Sequence, residues 1–114
     1  MDNVKSVSLG AGHSAAIKED GSLWMWGSNY YGQVGDKTTE NRTSPVKIMD
    51  NVKSVSLCFC QSAAIKEDGS LWMWGYNSHG QIGDNTRDYR TSPVEIMNNI
   101  KSVVLYWYNS AAND

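Results

Sequence analysis

The sequence repeats itself along almost its whole length. Residues 22–36 read Ser-Leu-Trp-Met-Trp-Gly-Ser-Asn-Tyr-Tyr-Gly-Gln-Val-Gly-Asp and return with few changes at residues 70–84. When residues 2–49 are aligned with residues 50–97, the period is 48 residues and 35 of the 48 positions are identical. A third, partial copy occupies residues 98–114. A period of this length is typical of repeat proteins, in which each unit buries its apolar surface against its neighbours.

Each period carries the pattern of four short strands. Val4 to Leu9 alternates apolar and polar residues, residues 14–17 are small and apolar, and residues 23–26 form an apolar run after an Asp-Gly turn. A polar loop without periodicity leads to a fourth strand over residues 45–49. Its first residue is a proline, which suits an edge strand because proline cannot donate a hydrogen bond to the ladder.

The third strand of each period is apolar on both faces. Four consecutive apolar residues, Leu71 to Trp74, are bounded by turn residues. Successive side chains of a strand point to opposite faces, so Trp72 and Trp74 cover one face while Leu71 and Met73 cover the other. Each sheet must therefore lie between two neighbours. With small residues in the second strand and bulky ones in the third, the sequence predicts an all-β fold of wedge-shaped, four-stranded antiparallel blades, forming an incomplete β-propeller ring.

The residues of this pattern resemble a known repeat. Val-x-Leu-Gly-Ala-Gly-His-Ser-Ala-Ala-Ile at 7–17 and Glu-Asp-Gly-Ser-Leu-Trp-Met-Trp-Gly-x-Asn-x-x-Gly-Gln-Val-Gly-Asp at 19–36 are similar to the regulator of chromosome condensation repeat. The resemblance covers essentially the whole chain and implies blades of a seven-bladed β-propeller. It also implies structural roles for turn glycines and for amides that hydrogen-bond those turns: Gly27, Gly32, Gly35, Gly75, Gly80 and Gly83, with Asn29, Asn77, Gln33 and Gln81.

The copies differ mainly in three loops. Gly-Ala-Gly-His at 10–13 becomes Cys-Phe-Cys-Gln at 58–61 and Tyr-Trp-Tyr-Asn at 106–109. The other two variable patches are Ser28, Tyr30 and Tyr31 against Tyr76, Ser78 and His79, and residues 37–41 against 85–89. Constant strands that display variable aromatic loops indicate a protein-binding rim, because Tyr and Trp concentrate binding energy. The candidate partner-binding residues are Phe59, Gln61, Tyr106, Trp107, Tyr108, Asn109, Tyr30, Tyr31, Tyr76 and His79.

Other interpretations of these residues compete with a binding rim. Tyr106 to Tyr108 could instead extend a strand and fill space. His13 beside Ser14 could suggest a base and a nucleophile, but adjacent strand residues point to opposite faces and the other copies have Gln61 and Asn109 at this position. What these three residues share is the ability to hydrogen-bond in a turn. The sequence therefore predicts no enzyme and no catalytic residue.

Composition and charge exclude several classes of function. The formal net charge is −2 and the 10 Lys and Arg residues are scattered, which argues against a nucleic-acid partner. No apolar run could span a bilayer and no signal peptide is seen, so no membrane is expected and a cytoplasmic location is the default. Cys58 and Cys60 lie two apart in one segment, where a disulfide is not favoured. With so few His and Cys residues, no metal site and no cofactor are expected.

Three functional classes stay open from the sequence. The preferred hypothesis is a non-enzymatic protein-binding module, the role that the family's propeller-type β-lactamase inhibitor suggests. The family also contains guanine-nucleotide exchange factors for a small GTPase, and the third class is a purely structural fragment or an engineered repeat array. Because two blades and part of a third leave apolar ends, we also expect the chain to bind copies of itself, with exchange of strands.

Overall fold

The computed structural model describes residues 1–105 and 110–113, with the backbone alone for residues 102–105 and 110–113. Tyr106, Trp107, Tyr108 and Asn109 of the predicted rim lie outside the described residues. Within the described part every regular element is a strand, and no helix there is long and apolar enough to cross a membrane. The strands are β1 Val4–Leu9, β2 His13–Lys18, β3 Leu23–Gly27, β4 Arg42–Met49, β5 Val52–Cys58, β6 Gln61–Lys66, β7 Leu71–Gly75, β8 Arg90–Met97, β9 Ser102–Leu105 and β10 Ser110–Asn113.

The strands form two four-stranded sheets and one hairpin. Strands β1 to β4 pair in sequence order as antiparallel neighbours in one sheet, and β5 to β8 do the same in the next. We call these sheets blade 1 and blade 2. Strands β9 and β10 pair as a separate antiparallel hairpin. The predicted all-β architecture of antiparallel blades is therefore confirmed.

The fourth strand of each blade is longer than its apolar residues indicated. It begins at Arg42 and Arg90, three residues before each proline, so the prediction of a loop up to residue 44 was wrong. Arg42 lies opposite Gly27, across a shift of register that follows Met25. Backbone pairing extends this strand through three polar residues, which a periodicity argument cannot detect. Pro45 does lie on an edge strand, as its missing N–H requires.

The apolar core lies between the blades rather than inside either sheet. Leu23 and Met25 of blade 1 are fully buried and belong to one cluster with Trp74 of blade 2, against which Trp72 packs. Leu71 and Met73, on the opposite face of β7, belong to a second cluster that includes Ile100. The predicted division of the third strand into two covered faces is confirmed for blade 2.

The β9–β10 hairpin follows blade 2 in the way that blade 2 follows blade 1. The Ile100 N–H donates to the Gly69 carbonyl at 2.9 Å, and the equivalent Val52 N–H donates to the Gly21 carbonyl at 2.8 Å. Strand β9 packs beside β5 and β6, as β5 packs beside β1 and β2. The hairpin thus covers part of the outer face of blade 2.

Candidate protein-binding surface

The variable loops after β3 and β7 are held by a buried asparagine. The Asn29 Nδ2 group donates to the carbonyls of Thr38 and Glu40, both at 3.0 Å, and its Oδ1 accepts from the Val34 N–H at 2.9 Å. Asn77 forms the same three bonds in blade 2, at 3.1, 2.9 and 3.0 Å. The turn-bonding role expected for these amides is confirmed, and it fixes the backbone from which the variable side chains project.

An aspartate carboxylate holds the C-terminal end of each of these loops by hydrogen bonds. Asp84 accepts from Arg90 Nε at 2.6 Å and from the Thr86 hydroxyl at 2.7 Å. Asp36, Arg42 and Thr38 repeat the arrangement in blade 1. Burial alone would raise the pKa of Asp36, but the hydrogen bonds from Thr38, Arg42 and Asn29 outweigh burial, so its pKa lies below the usual value. The carboxylate therefore stays ionised and keeps the loop closed.

The loops of the two blades bring four tyrosines together at the junction between the sheets. The ring of Tyr31 meets those of Tyr76 and Tyr89 edge to face, with centroids 4.9 and 5.2 Å apart. Tyr30 stacks edge-on against Tyr31 at 4.9 Å, and Tyr76 lies 5.2 Å from Tyr89. These are favourable geometries for aromatic pairs. We call Tyr30, Tyr31, Tyr76 and Tyr89 the tyrosine cluster.

The tyrosine cluster faces solvent, and the pKa of one of its members, Tyr89, is raised. Tyr30 is 72% exposed and Tyr89 is 43% exposed, whereas Tyr31 and Tyr76 are half-buried beneath them. Partial burial, followed by the neighbouring Tyr76, Tyr31 and Tyr30 hydroxyls, raises the pKa of Tyr89 above its usual value. At neutral pH the Tyr89 hydroxyl is therefore a hydrogen-bond donor as well as an acceptor.

Of the residues predicted from the sequence, Tyr30, Tyr31, Tyr76 and His79 lie together. His79 is exposed, with its ring centroid 6.4 Å from that of Tyr76. Gln61 does not lie on this surface. It is 1% exposed, at the start of β6 and opposite Gly75. Phe59 is half-buried in the β5–β6 turn, with a positive φ of 41°.

Sequence reasoning missed Tyr89. It lies in the third variable patch, where it replaces Asn41 of the first copy. That replacement was the available signal, because it places an aromatic residue in a patch where the two copies differ. Its contact with Tyr31 depends on how the two blades meet, which no spacing within one repeat reveals.

A histidine–serine pair is buried between the blades. His13 Nε2 lies 3.1 Å from Ser62 Oγ, and the Ser62 hydroxyl donates to the Gln33 carbonyl at 2.7 Å. Burial lowers the pKa of His13 to about 4, partly offset by a backbone hydrogen bond at Gln61, so the ring is neutral at pH 7. Because the serine proton is directed at a carbonyl, the pair joins two blades and is not arranged as base and nucleophile.

The cysteines and the remaining acidic residues show no sign of a metal centre. Cys58 and Cys60 are free thiols, and burial raises the pKa of both. Thiols with a raised pKa are poor metal ligands at neutral pH, since a metal binds the thiolate. Among residues 1–105 and 110–113, no three His, Cys, Asp or Glu side chains converge on one point.

Comparison with known proteins identifies the family of the repeat. Two models described as the regulator of chromosome condensation (RCC1) repeat match the chain, one over residues 4–33 and 52–81 and the other over residues 20–63 and 68–106. The chain belongs to the RCC1 repeat family. The resemblance drawn from the Trp-Gly-x-Asn-x-x-Gly-Gln-x-Gly pattern is thereby confirmed.

RCC1-repeat proteins similar to the chain are much longer. The X-linked retinitis pigmentosa GTPase regulator of Mus musculus is 45% identical over 47 residues, which is 41% of this chain and 5% of that protein. The ultraviolet-B receptor UVR8 of Arabidopsis thaliana is 40% identical over 45 residues, covering 40% of this chain and 10% of the receptor. Human E3 ubiquitin-protein ligase HERC2 is 35% identical over 48 residues, covering 40% of this chain and 1% of HERC2.

Solved structures agree on the fold. Human WBSCR16 superposes with a TM-score of 0.82 at 23% identity, and Prp20p of Saccharomyces cerevisiae with a TM-score of 0.78 at 24% identity. In both cases 90% of this chain covers 29% of the other chain. The structure of Prp20p was reported together with the binding of Prp20p to Gsp1p and to histones. The chain thus has the architecture of part of an RCC1 β-propeller.

Proposed function

We propose that the chain is a non-enzymatic protein-binding module and that the tyrosine cluster is its contact surface. The observation that carries this proposal is the meeting of Tyr31 with Tyr76 and Tyr89 across two blades, with Tyr30 and Tyr89 open to solvent. Tyrosine supplies a large rigid surface with a polar tip and loses little side-chain entropy on binding. The hydrogen bonds of Asn29 and Asn77 hold the loops in place before a partner arrives, which reduces the cost of association.

The surface is composed of residues that the fold does not require. Tyr30 and Tyr31 are replaced by Ser78 and His79 in the second repeat, while the strands around them keep their sequence. Large rings at such positions support recognition rather than folding, because the same loop backbone forms without them. The first partners to test are Gsp1p and the histones, to which Prp20p binds, and a GTPase, because one relative is a GTPase regulator.

Site-specific crosslinking tests the proposed contact surface. A photoreactive phenylalanine analogue at Tyr30 or Tyr89 should capture the same protein from a lysate, and the analogue at Lys53, an exposed strand residue, should not. The captured protein is then purified and titrated. Tyr31→Ser should weaken its binding by roughly 30-fold or more, as expected for loss of an interface hot spot. The proposal fails if Tyr31→Ser binds the purified partner as tightly as the unaltered chain does.

Nucleotide release separates binding from exchange activity. If the captured protein is a GTPase, stoichiometric addition of the chain should leave the rate at which it releases nucleotide unchanged. A large acceleration would instead favour the exchange-factor alternative suggested by the GTPase regulator among the relatives.

We also propose that the chain assembles with copies of itself. Val7 and Leu9 are 60% and 71% exposed, although the equivalent Val55 and Leu57 pack against the core cluster between the blades. Blade 1 thus exposes on β1 the apolar residues whose equivalents on β5 of blade 2 are packed against a neighbouring blade. Light scattering over a range of chain concentrations tests this proposal, and a constant mass of 12.7 kDa would refute it.

A further inference from the structure

Blade 2 carries a cavity of about 420 Å³. It lies beside the loop after β7, which the buried Asn77 holds in shape. We call this cavity the socket. Its lining residues are His79, Gly80, Gly83, Asn85, Thr86 and Arg87.

The same position on blade 1 is filled by blade 2. The Lys37 N–H donates to the Thr91 carbonyl at 2.8 Å, and Trp74 Nε1 donates to the Gln33 carbonyl at 2.9 Å. The approach is so close that a Cβ added to Gly35 would lie 2.6 Å from Trp74 Nε1. Blade 1 therefore shows what the loop is shaped to receive, which is an indole and the first residues of a fourth strand.

The socket repeats this receiving geometry without an occupant among the described residues. A Cβ added to Gly80 or Gly83 would meet only single atoms at 3.8 and 3.7 Å, which is ordinary contact. Asn85 has a φ of 66°, close to the 70° of its equivalent Lys37, so the two backbone N–H groups share one local conformation. Gly80 and Gly83 thus border a space that no residue among 1–105 fills.

The matching occupant lies at the other end of the same chain. Trp26 and Thr43 occupy the positions in blade 1 that Trp74 and Thr91 occupy in blade 2, and the run Arg-Thr-Ser-Pro is identical in both. Trp26 is half-buried, and in the described part of the chain its indole N–H forms no hydrogen bond. Thr43 is exposed.

We propose that the socket receives Trp26 and Thr43 from a second copy of the chain, an inference that rests on the self-assembly proposed above. In this arrangement the second copy's Trp26 Nε1 donates to the Gln81 carbonyl. The Asn85 N–H donates to the carbonyl of the second copy's Thr43. Both contacts copy those observed between blades 1 and 2.

The position of the hairpin β9–β10 determines which strands of the second copy can pair with blade 2's neighbour strands. It occupies the place that a β1–β2 hairpin of the incoming chain would need, so β3 of the second copy, with β4 on its other side, pairs with the open edge of β10. The register follows the pairing of Ser62 with Trp74 and therefore sets Ser110 opposite Trp26. The β1–β2 hairpin of the second copy is released in exchange. An open strand edge of this kind is a template for pairing with another chain.

Two complementary variants test the socket. Trp26→Ala removes the incoming indole, and Arg87→Trp places a bulky ring at the rim of the socket. Each variant alone should raise the dissociation constant for self-association by roughly 30-fold or more, measured by sedimentation equilibrium. Lys53→Ala should self-associate as the unaltered chain does, because Lys53 belongs neither to the socket nor to its occupant.

Mixing the two variants gives the decisive result. The Trp26→Ala chain keeps an open socket and the Arg87→Trp chain keeps an indole, so an equimolar mixture should form a dimer that contains one of each. Circular dichroism of each variant checks that it folds. If the unaltered chain is monomeric at all concentrations, self-assembly itself is refuted. If it associates but Trp26→Ala associates equally well, or the folded variants do not pair when mixed, only the socket is refuted.

Discussion

At the scale of the residue, the repeats provide pairs of identical residues in different surroundings. Gly35 and Gly83 have φ values of 88° and 86°, so an alanine at either position meets the same backbone strain. Only at Gly35 would the new methyl group also strike Trp74, because the nearest side-chain atom at Gly83 is Ile96 Cγ2 at 3.7 Å. The difference between the two substitutions therefore measures how tightly the blades pack.

We expect Gly35→Ala to lower the free energy of unfolding by about 1–3 kcal/mol more than Gly83→Ala does, the usual cost of overpacking a core. Urea denaturation of both variants below the concentration at which chains associate provides the measurement. Equal losses would mean that Trp74 can withdraw from Gly35 without cost, contrary to its complete burial.

The roles of the turn residues could be predicted from the sequence, but their spatial neighbours could not. The resemblance to the RCC1 repeat implied turn roles for Gly35 and Asn29, and the positive φ of Gly35 and the hydrogen bonds of Asn29 agree with them. The place of Tyr89 beside Tyr31 and the burial of Gln61 depend on contacts between strands and blades that are distant in sequence. The tyrosine cluster could thus be predicted only in part.

At the scale of the element, His13 and Ser62 connect β2 of blade 1 to β6 of blade 2. The folded pKa of His13, about 4, lies below its unfolded value of about 6.5. Between these values the unfolded chain binds more protons, so stability falls as the pH is lowered from 6.5 towards 4. The full loss is on the order of 3 kcal/mol.

His13→Gln should flatten that dependence, since glutamine occupies the equivalent position 61 and is tolerated there. Urea denaturation of both proteins at intervals between pH 7 and pH 4.5 gives the slope. Above pH 4.5 the aspartates of lowered pKa, such as Asp36, stay ionised in the folded state, so they contribute little to the difference between the proteins. A slope that is unchanged in His13→Gln would show that the imidazole is not buried as a neutral ring.

Strands with apolar periodicity could be placed from the sequence, and strands without it could not. The predicted first and third strands match β1 and β3 to within a residue. The first residues of β4, Arg42 to Ser44, are polar and extend a strand only because β3 offers an edge and Asp36 holds Arg42. Such a boundary is set by tertiary pairing and leaves little trace in local composition.

At the scale of the molecule, the repeat leaves two complementary faces, one with Trp26 and Thr43 and the other with the socket. The sequence predicted that the ends would be apolar. It could not show where the hairpin β9–β10 lies or that Gly80 and Gly83 enclose an open space. A head-to-tail contact between such faces is heterologous, so it leads to a closed ring or an open array according to the rotation per chain.

Because association stabilises the folded state by mass action, the melting temperature should depend on chain concentration. Above the dissociation constant, a tenfold rise in concentration should raise the melting temperature by roughly 3–5 °C for a domain of this size. Trp26→Ala should melt at one temperature throughout the same range, since it lacks the indole that the socket receives. Differential scanning calorimetry from micromolar to millimolar chain provides the comparison, with Lys53→Ala as the control that keeps the dependence. A melting temperature of Trp26→Ala that rises as steeply as that of the control would show that the association does not pass through this indole.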